Sequence, residues 1–215
     1  MKKYKAIIMD FDMTIADTGD LIEECLYDNA ARYGYDLDRR ILREGIGTSA
    51  ETIYVSAGVD ADMAKRLDEE YFTYSAEAMR QRTRFFPGVA EGLCSLHAGG
   101  VLLSILSLKS SDHIRRPLEI HGLDGYIDYV IGHEDISEHK PDPAGIYLIA
   151  KKSGIALSDI LYVGDSANDM NTALNAGVDF AAVCTGAVTA DQFADMGAGM
   201  IYPTFAQMCR AICKL

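Results

Sequence analysis

Five short apolar runs, Tyr4–Met9, Val101–Leu106, Tyr129–Ile131, Ile160–Val163 and Phe180–Val183, recur along this chain, separated by segments of helical spacing or by turn residues. None of them alternates apolar with polar residues as a half-exposed strand would, so each suits a strand covered on both faces. Parallel neighbours need crossover connections of a dozen or more residues, and the intervals between the runs are long enough to supply them. The pattern predicts an α/β fold: a Rossmann-like parallel sheet with helices on both faces. Helices are expected near Val89–Ala98, Asp112–Ile120, Pro143–Ser153, Asn168–Ala176, Ala190–Met196 and Thr204–Lys214. Gly88, Gly99, Gly100, Gly122, Gly154 and Gly177 punctuate them where helix ends favour glycine.

One stretch breaks this rhythm. Between Asp17 and Arg84 there is no convincing strand, only helix-compatible segments at Leu21–Tyr33, Ala50–Ser56 and Asp62–Gln81, interrupted by Gly34, Gly45 and Gly47. An insertion of that size directly after the first strand is too large for a loop. It predicts an inserted helical cap domain over residues 16–85, with the α/β core formed by residues 1–15 and 86–215, and hinges near Ala16 and Phe86.

With 49% apolar residues in 215, the chain can bury a full core. A net charge of −12 and the absence of a Lys/Arg cluster argue against nucleic acid or an anionic membrane as partner. The opening apolar run ends at Asp10, too soon for a signal peptide or membrane span, so the expectation is a cytoplasmic protein, a monomer or weak homodimer. The five cysteines, Cys25, Cys94, Cys184, Cys209 and Cys213, are scattered without a Cys-x-x-Cys pair and are expected to be reduced thiols.

In open parallel sheets ligands bind beyond the carboxyl ends of the strands, and these ends carry the polar groups. Asp10 and Asp12, with Thr14 following, terminate the first run. Two carboxylates so close repel by roughly 4 kcal/mol at an effective dielectric of about 20, which calls for a cation. The second run ends at Ser107 with Lys109 beyond it; Lys140-Pro141-Asp142-Pro143 follows the third; the fourth ends at Gly164-Asp165, with Asp169 one turn into the next helix. Asp142 is also expected to cap that third-run helix, with Pro143 at its first position.

Each group suits a part in phosphoryl transfer. Asp10 can act as nucleophile and form an acyl phosphate. Asp12 can protonate the leaving alkoxide and then activate water. Asp10, the backbone carbonyl of Asp12 and Asp165 make a hard oxygen site for Mg²⁺, with Asp169 as a ligand or as support behind one. Lys140 offers positive charge to the transferring group, and Ser107 and Thr14 offer hydroxyl donors.

The ordered set Asp10-Phe11-Asp12-Met13-Thr14, Ser107-Leu108-Lys109, Lys140-Pro141 and Gly164-Asp165-Ser166-Ala167-Asn168-Asp169 resembles the four motifs of the haloacid dehalogenase-like hydrolase superfamily. The inserted helical segment is similar to the cap of its phosphoglycolate phosphatase-like branch. Met13 stands where many relatives carry Gly, and Leu108 where many carry Asn. The resemblance implies a Mg²⁺-dependent phosphatase with Asp10, Asp12 and Lys140 as catalytic residues and Asp10, Asp12, Asp165 and Asp169 at the metal. It also implies Thr14, Ser107, Leu108, Lys109 and the cap-loop Gly47 at the substrate and its phosphate. Asp12 points away from metal-independent dehalogenation and toward phosphate monoesters, with phosphoglycolate or a comparably small phosphorylated metabolite as substrate. The alternatives are a sugar-phosphate phosphatase or β-phosphoglucomutase-like enzyme, for which the arginine expected after Gly47 is missing, and a phosphate-accepting signalling module.

Overall fold

The computed structural model describes residues 3–213. Strands β1 (Ala6–Met9), β4 (Leu102–Leu106), β5 (Tyr129–Ile131), β6 (Ile160–Gly164), β7 (Asp179–Val183) and β8 (Ile201–Tyr202) form one sheet in the order β5-β4-β1-β6-β7-β8. Every pairing in it is parallel. The chain runs outward from β1 to β4 and β5, then returns to the other side of β1 to lay down β6, β7 and β8. Strand order therefore reverses at β1, and the crevice outside its carboxyl end is where a doubly wound sheet binds ligands.

The period-two alternation of each strand divides the core between two faces. Ile7, Met9, Leu103, Ile105, Leu161 and Val163 pack on one side with residues of α5 (Val89–Ala98), α6 (Ser111–Ile120) and α10 (Phe205–Cys213). Ala6, Ile8, Tyr162 and Phe180 pack on the other with α7 (Ala144–Ser153), α8 (Ala167–Ala176) and α9 (Ala190–Asp195). Both faces are covered, which is why the runs showed no polar alternation.

The insertion leaves the core through β2 (Ala16–Asp17) and returns through β3 (Arg84–Phe85), which pair antiparallel with Ala16 opposite Phe85. Between them lie α1 (Gly19–Ala31), α2 (Arg39–Glu44), α3 (Ala50–Ser56) and α4 (Ala61–Arg82). These helices have their own apolar cluster, centred on Leu26, Leu42, Tyr54 and Leu67. On α4, Ala64, Leu67, Tyr71, Ser75 and Met79 are buried at three- and four-residue spacing, one face of an amphipathic helix. Asp38, Ser49 and Asp60 cap α2, α3 and α4 by accepting from Arg40, Thr52 and Met63 backbone N–H groups.

The departures from expectation are local. Helix α2 and strand β8 are too short for periodicity to reveal, and the expected hinges near Ala16 and Phe86 lie in and beside a two-stranded ribbon. Helix α7 begins at Ala144 with Pro143 as N-cap; Asp142 Oδ1 still accepts from the Ala144 N–H, at 2.9 Å. The last expected helix ends at Cys213, and Lys214 lies outside the described residues. All five cysteines are free thiols. Among the described residues no helix is long and apolar enough to cross a membrane.

Candidate active site

The register places Met9 opposite both Ile105 and Val163, so the residues that follow β1, β4 and β6 emerge on one edge. Asp10 N–H continues the ladder to Val163 O at 2.9 Å, and the residue is buried. One oxygen accepts from the Phe11 N–H at 2.7 Å; the other meets Lys140 Nζ at 3.0 Å. The turn beyond folds back on itself, with Ile15 and Ala16 N–H bonding to Phe11 O. Met13 sits at φ 57°, the one non-glycine residue with positive φ among those described, and its carbonyl accepts from the Thr185 hydroxyl. Left-handed backbone costs a side-chain-bearing residue about 1–2 kcal/mol.

Lys140 is nearly sealed from solvent and bridges Asp10 to Asp169 Oδ1, the latter at 2.7 Å. Asp169 is fully buried and saturated: Oδ1 also accepts from Tyr162 OH at 3.1 Å, and Oδ2 from the Ser166 N–H and hydroxyl at 3.1 and 2.6 Å. It anchors Lys140 while closing the capping box of α8. Burial alone would discharge Lys140, yet Asp10 and Asp169 outweigh it and hold the ammonium well above the ordinary lysine range.

Two residues expected at the phosphate are committed elsewhere. Thr14 has no exposed surface, and its hydroxyl proton goes to Asp165 Oδ1 at 2.6 Å. Thr14, expected at the phosphate, here orients the Asp165 carboxyl from behind. Lys109 lines the cavity, but its ammonium sits on both oxygens of Asp12 at 3.0 and 3.1 Å, and Thr18 donates to the same carboxylate at 2.7 Å. Its contact is with the acid rather than with open space for an anion. Ser107, Leu108 and Gly47 do line the cavity, together with Asp10, Asp12 and Lys140. Gly47 belongs to the loop before α3, and its carbonyl accepts from Asn168 Nδ2 at 3.0 Å, joining the helical unit to the sheet edge.

Asp10, Asp165 and Asp169 can each offer one carboxylate oxygen such that these atoms lie within 4.8 Å of one another, all three residues being buried. Burial, then the neighbouring carboxylates of Asp169 and Asp12, push Asp10 up to about 6 against the pull of Lys140. Burial, Asp169 and Asp10 push Asp165 well above the carboxylate range. When the carboxyls of Asp10, Asp12, Asp165 and Asp169 are all ionised, only the Lys109 and Lys140 ammonium groups oppose them and two negative charges are left over. Hard oxygen donors with that deficit fit a divalent cation such as Mg²⁺.

Between the strand ends and the helical unit lies a cavity of about 580 Å³, within the range of small-molecule sites. A family model for haloacid dehalogenase-like hydrolases matches residues 7–183. The chain belongs to the haloacid dehalogenase-like hydrolase family. A Bacteroides fragilis structure described as a haloacid dehalogenase-like hydrolase superposes with a TM-score of 0.90 at 32% identity, covering 96% of this chain and 100% of that one. A phosphoglycolate phosphatase of Vibrio parahaemolyticus is 27% identical over 183 residues, 80% of each chain. A Clostridium acetobutylicum structure, 20% identical over the full length of both chains with a TM-score of 0.89, shows the fold.

In this haloacid dehalogenase-like hydrolase several site residues escaped sequence reasoning. Gly186, beyond β7, has no room for a side chain: a Cβ there would lie 2.0 Å from Asp165 Oδ2. With Thr185 it forms another strand-end pair, and the rule that singled out Ser107 and Asp165 could have found it. The cavity wall of Tyr71, Phe72, His113, His133 and His139 carried no such signal, because it assembles from α4, α6 and the segment after β5.

Proposed function

We propose that this protein is a Mg²⁺-dependent phosphomonoesterase acting on a small phosphorylated metabolite in the cytoplasm, with the helical unit as its cap. The observation that carries the reading is the cluster of Asp10, Asp12, Asp165 and Asp169 with Lys109 and Lys140 at the β1 switch point, buried except for the partly exposed Asp12 and opening onto a cavity at Asp10 and Asp12. Held by Asp10, Asp165 and the Asp12 carbonyl, with Asp169 beside them, Mg²⁺ would neutralise the approach of an anionic phosphoryl group.

In the first half-reaction a bond forms between an Asp10 carboxylate oxygen and phosphorus while the bond to the ester oxygen breaks. Asp12 delivers its proton to the departing alkoxide. In the second, Asp12 takes a proton from water as that water attacks phosphorus, and Asp10 leaves as carboxylate with release of inorganic phosphate. Lys109 and Thr18 hold Asp12 in place for both transfers. Lys140, fixed by Asp169, holds positive charge against Asp10 and the transferring group. Closure of the helical unit excludes bulk water and leaves the acyl phosphate to the water that Asp12 activates. Phosphoglycolate, the ester favoured by kinship, serves as the reference substrate.

The test is hydrolysis of an aryl phosphate by wild type and by Asp10→Asn, each with Mg²⁺ and with EDTA. Activity in wild type with Mg²⁺ alone is expected. Full activity in EDTA, or an active Asp10→Asn protein, would refute the assignment, and a phosphoprotein stable for minutes to hours would indicate a signalling module instead.

A further inference from the structure

The cavity wall away from Asp10 has a chemistry of its own. Its two lysines, Lys109 and Lys140, are bound to Asp12 and to Asp10 with Asp169, and none of the described arginines lines it. What the helical unit contributes is acidic: Glu51 at the start of α3 and Asp68 on α4, joined by a hydrogen bond from the Glu51 N–H to Asp68 Oδ1 at 3.1 Å. Beside them stands a set of flat rings. His133 and His139 stack with centroids 4.0 Å apart and planes within 4°, and Phe72 of α4 lies 5.3 Å from His133.

Two of the imidazoles on this wall, His133 and His113, are disfavoured as cations by their surroundings. His139 Nε2 lies 2.9 Å from His133 O, a contact that requires the proton on that nitrogen. Burial, then His139, depress the His133 imidazolium; burial, then Lys109, depress that of His113 on the same wall. Tyr71 of α4, 9% exposed, completes the wall with its ring. Unpaired carboxylates beside ring faces attract an organic cation, since both the charge and the ring quadrupole favour it. A carboxylate placed there would meet two acids and no free base.

We propose that the leaving alcohol of the substrate carries an ammonium group, read by Asp68, Glu51 and the ring stack of Phe72, His133 and His139. The substrate is then a zwitterionic amino-alcohol phosphate, its phosphate toward Asp10 and its amine toward the helical unit. This rests on the phosphomonoesterase reading of the same cavity. It departs from phosphoglycolate, whose far end is a carboxylate.

Three esters of matched length separate the possibilities: aminoethyl phosphate, hydroxyethyl phosphate and phosphoglycolate, which differ only in an ammonium, a hydroxyl or a carboxylate. For wild type with Mg²⁺ we expect kcat/KM to fall about tenfold at each step in that order, the effect of about two half-screened charges near the variable group. The Glu51→Gln, Asp68→Asn double variant keeps an oxygen to accept the Glu51-position N–H and should compress the spread to about threefold, through KM, as the Coulomb difference disappears. Calorimetric titration of Asp10→Asn protein with the same esters and Mg²⁺ should give the same order of Kd without turnover. Phosphoglycolate equal to or better than aminoethyl phosphate in either measurement, or an unchanged spread in the double variant, overturns the inference. Aryl phosphate hydrolysis dependent on Asp10, measured alongside, keeps the parent reading separate: its absence overturns both, and its presence with the wrong order overturns only the proposed amine.

Discussion

Lys140 is the single cation between two carboxylates that hardly touch water, so replacing it is the most direct test of how this site is held together. Its side chain is 2% exposed, against 5% for Asp10 and none for Asp169, and the contacts are 3.0 and 2.7 Å. Lys140→Met keeps the length of the apolar stem but leaves both carboxylates without their counter-charge. Removing one partner of a buried pair typically costs about 3–5 kcal/mol, chiefly because the remaining charge stays buried. Against a total stability of roughly 5–15 kcal/mol for a domain, that is a large fraction. Asp10→Asn in the same background removes part of the stranded charge while Asn keeps an oxygen for the Phe11 N–H. Lys140→Met should therefore cost less there, with a coupling of about 1–3 kcal/mol. The assay is urea unfolding in EDTA at neutral pH followed by far-UV circular dichroism, since the chain has no tryptophan to report by fluorescence. A loss under about 1 kcal/mol for Lys140→Met, or strictly additive single and double variants, would refute the claim that Lys140 neutralises a buried cluster.

Without metal, Asp10→Asn should be more stable than wild type at pH 7.5, with the advantage shrinking toward pH 4. The folded-state pKa of Asp10 is raised to about 6, so folding favours the protonated acid, and the wild type loses that contribution as pH rises through about 6 whereas Asn does not. Thr14→Val, which deletes the donor to Asp165 in a fully buried position, should weaken Mg²⁺ activation or turnover by about 10–100-fold, read from a Mg²⁺ titration of initial rates; a wild-type titration curve would show that Asp165 needs no such support. Gly47→Ala places a Cβ 3.0 Å from Ser166 Cβ at a residue with φ 105°. It should cost about 1 kcal/mol or more in stability and raise KM, and a variant normal in both would mean that the loop does not seat against α8.

The sequence places Asp10, Asp12, Ser107, Lys140, Asp165 and Asp169 at or just beyond strand ends, and the structure gathers them at one sheet edge. The reason is that unbroken apolar runs imply a parallel sheet, and parallel strands bring all their carboxyl ends together whatever lies between them. The helices of the insertion were legible for a similar local reason: α3 begins and ends where spacing placed it, and the expectations for α1 and α4 were within about two residues, the usual uncertainty of helix ends. Strands β2, β3 and β8 were not, because two residues make no run, nor was α2, whose six residues Arg39–Glu44 bury only Leu42.

What the strand ends do to one another was beyond the sequence. Thr14 reads as a free hydroxyl until Asp165, 151 residues away, arrives to take its proton; Lys109 reads as a phosphate ligand until Asp12, 97 residues away, claims it. The acid and ring wall facing Asp10 likewise exists only once α4 lies over α6 and the segment after β5. Hydrophobic periodicity is a property of neighbours along the chain, and by itself it determined the sheet, its helices and the edge that bears the chemistry. Hydrogen bonds and charge compensation act over a few ångströms in space between residues that periodicity does not relate. Only the tertiary structure decided which lysine meets which carboxylate, which hydroxyl is already committed, and what faces the far end of a substrate.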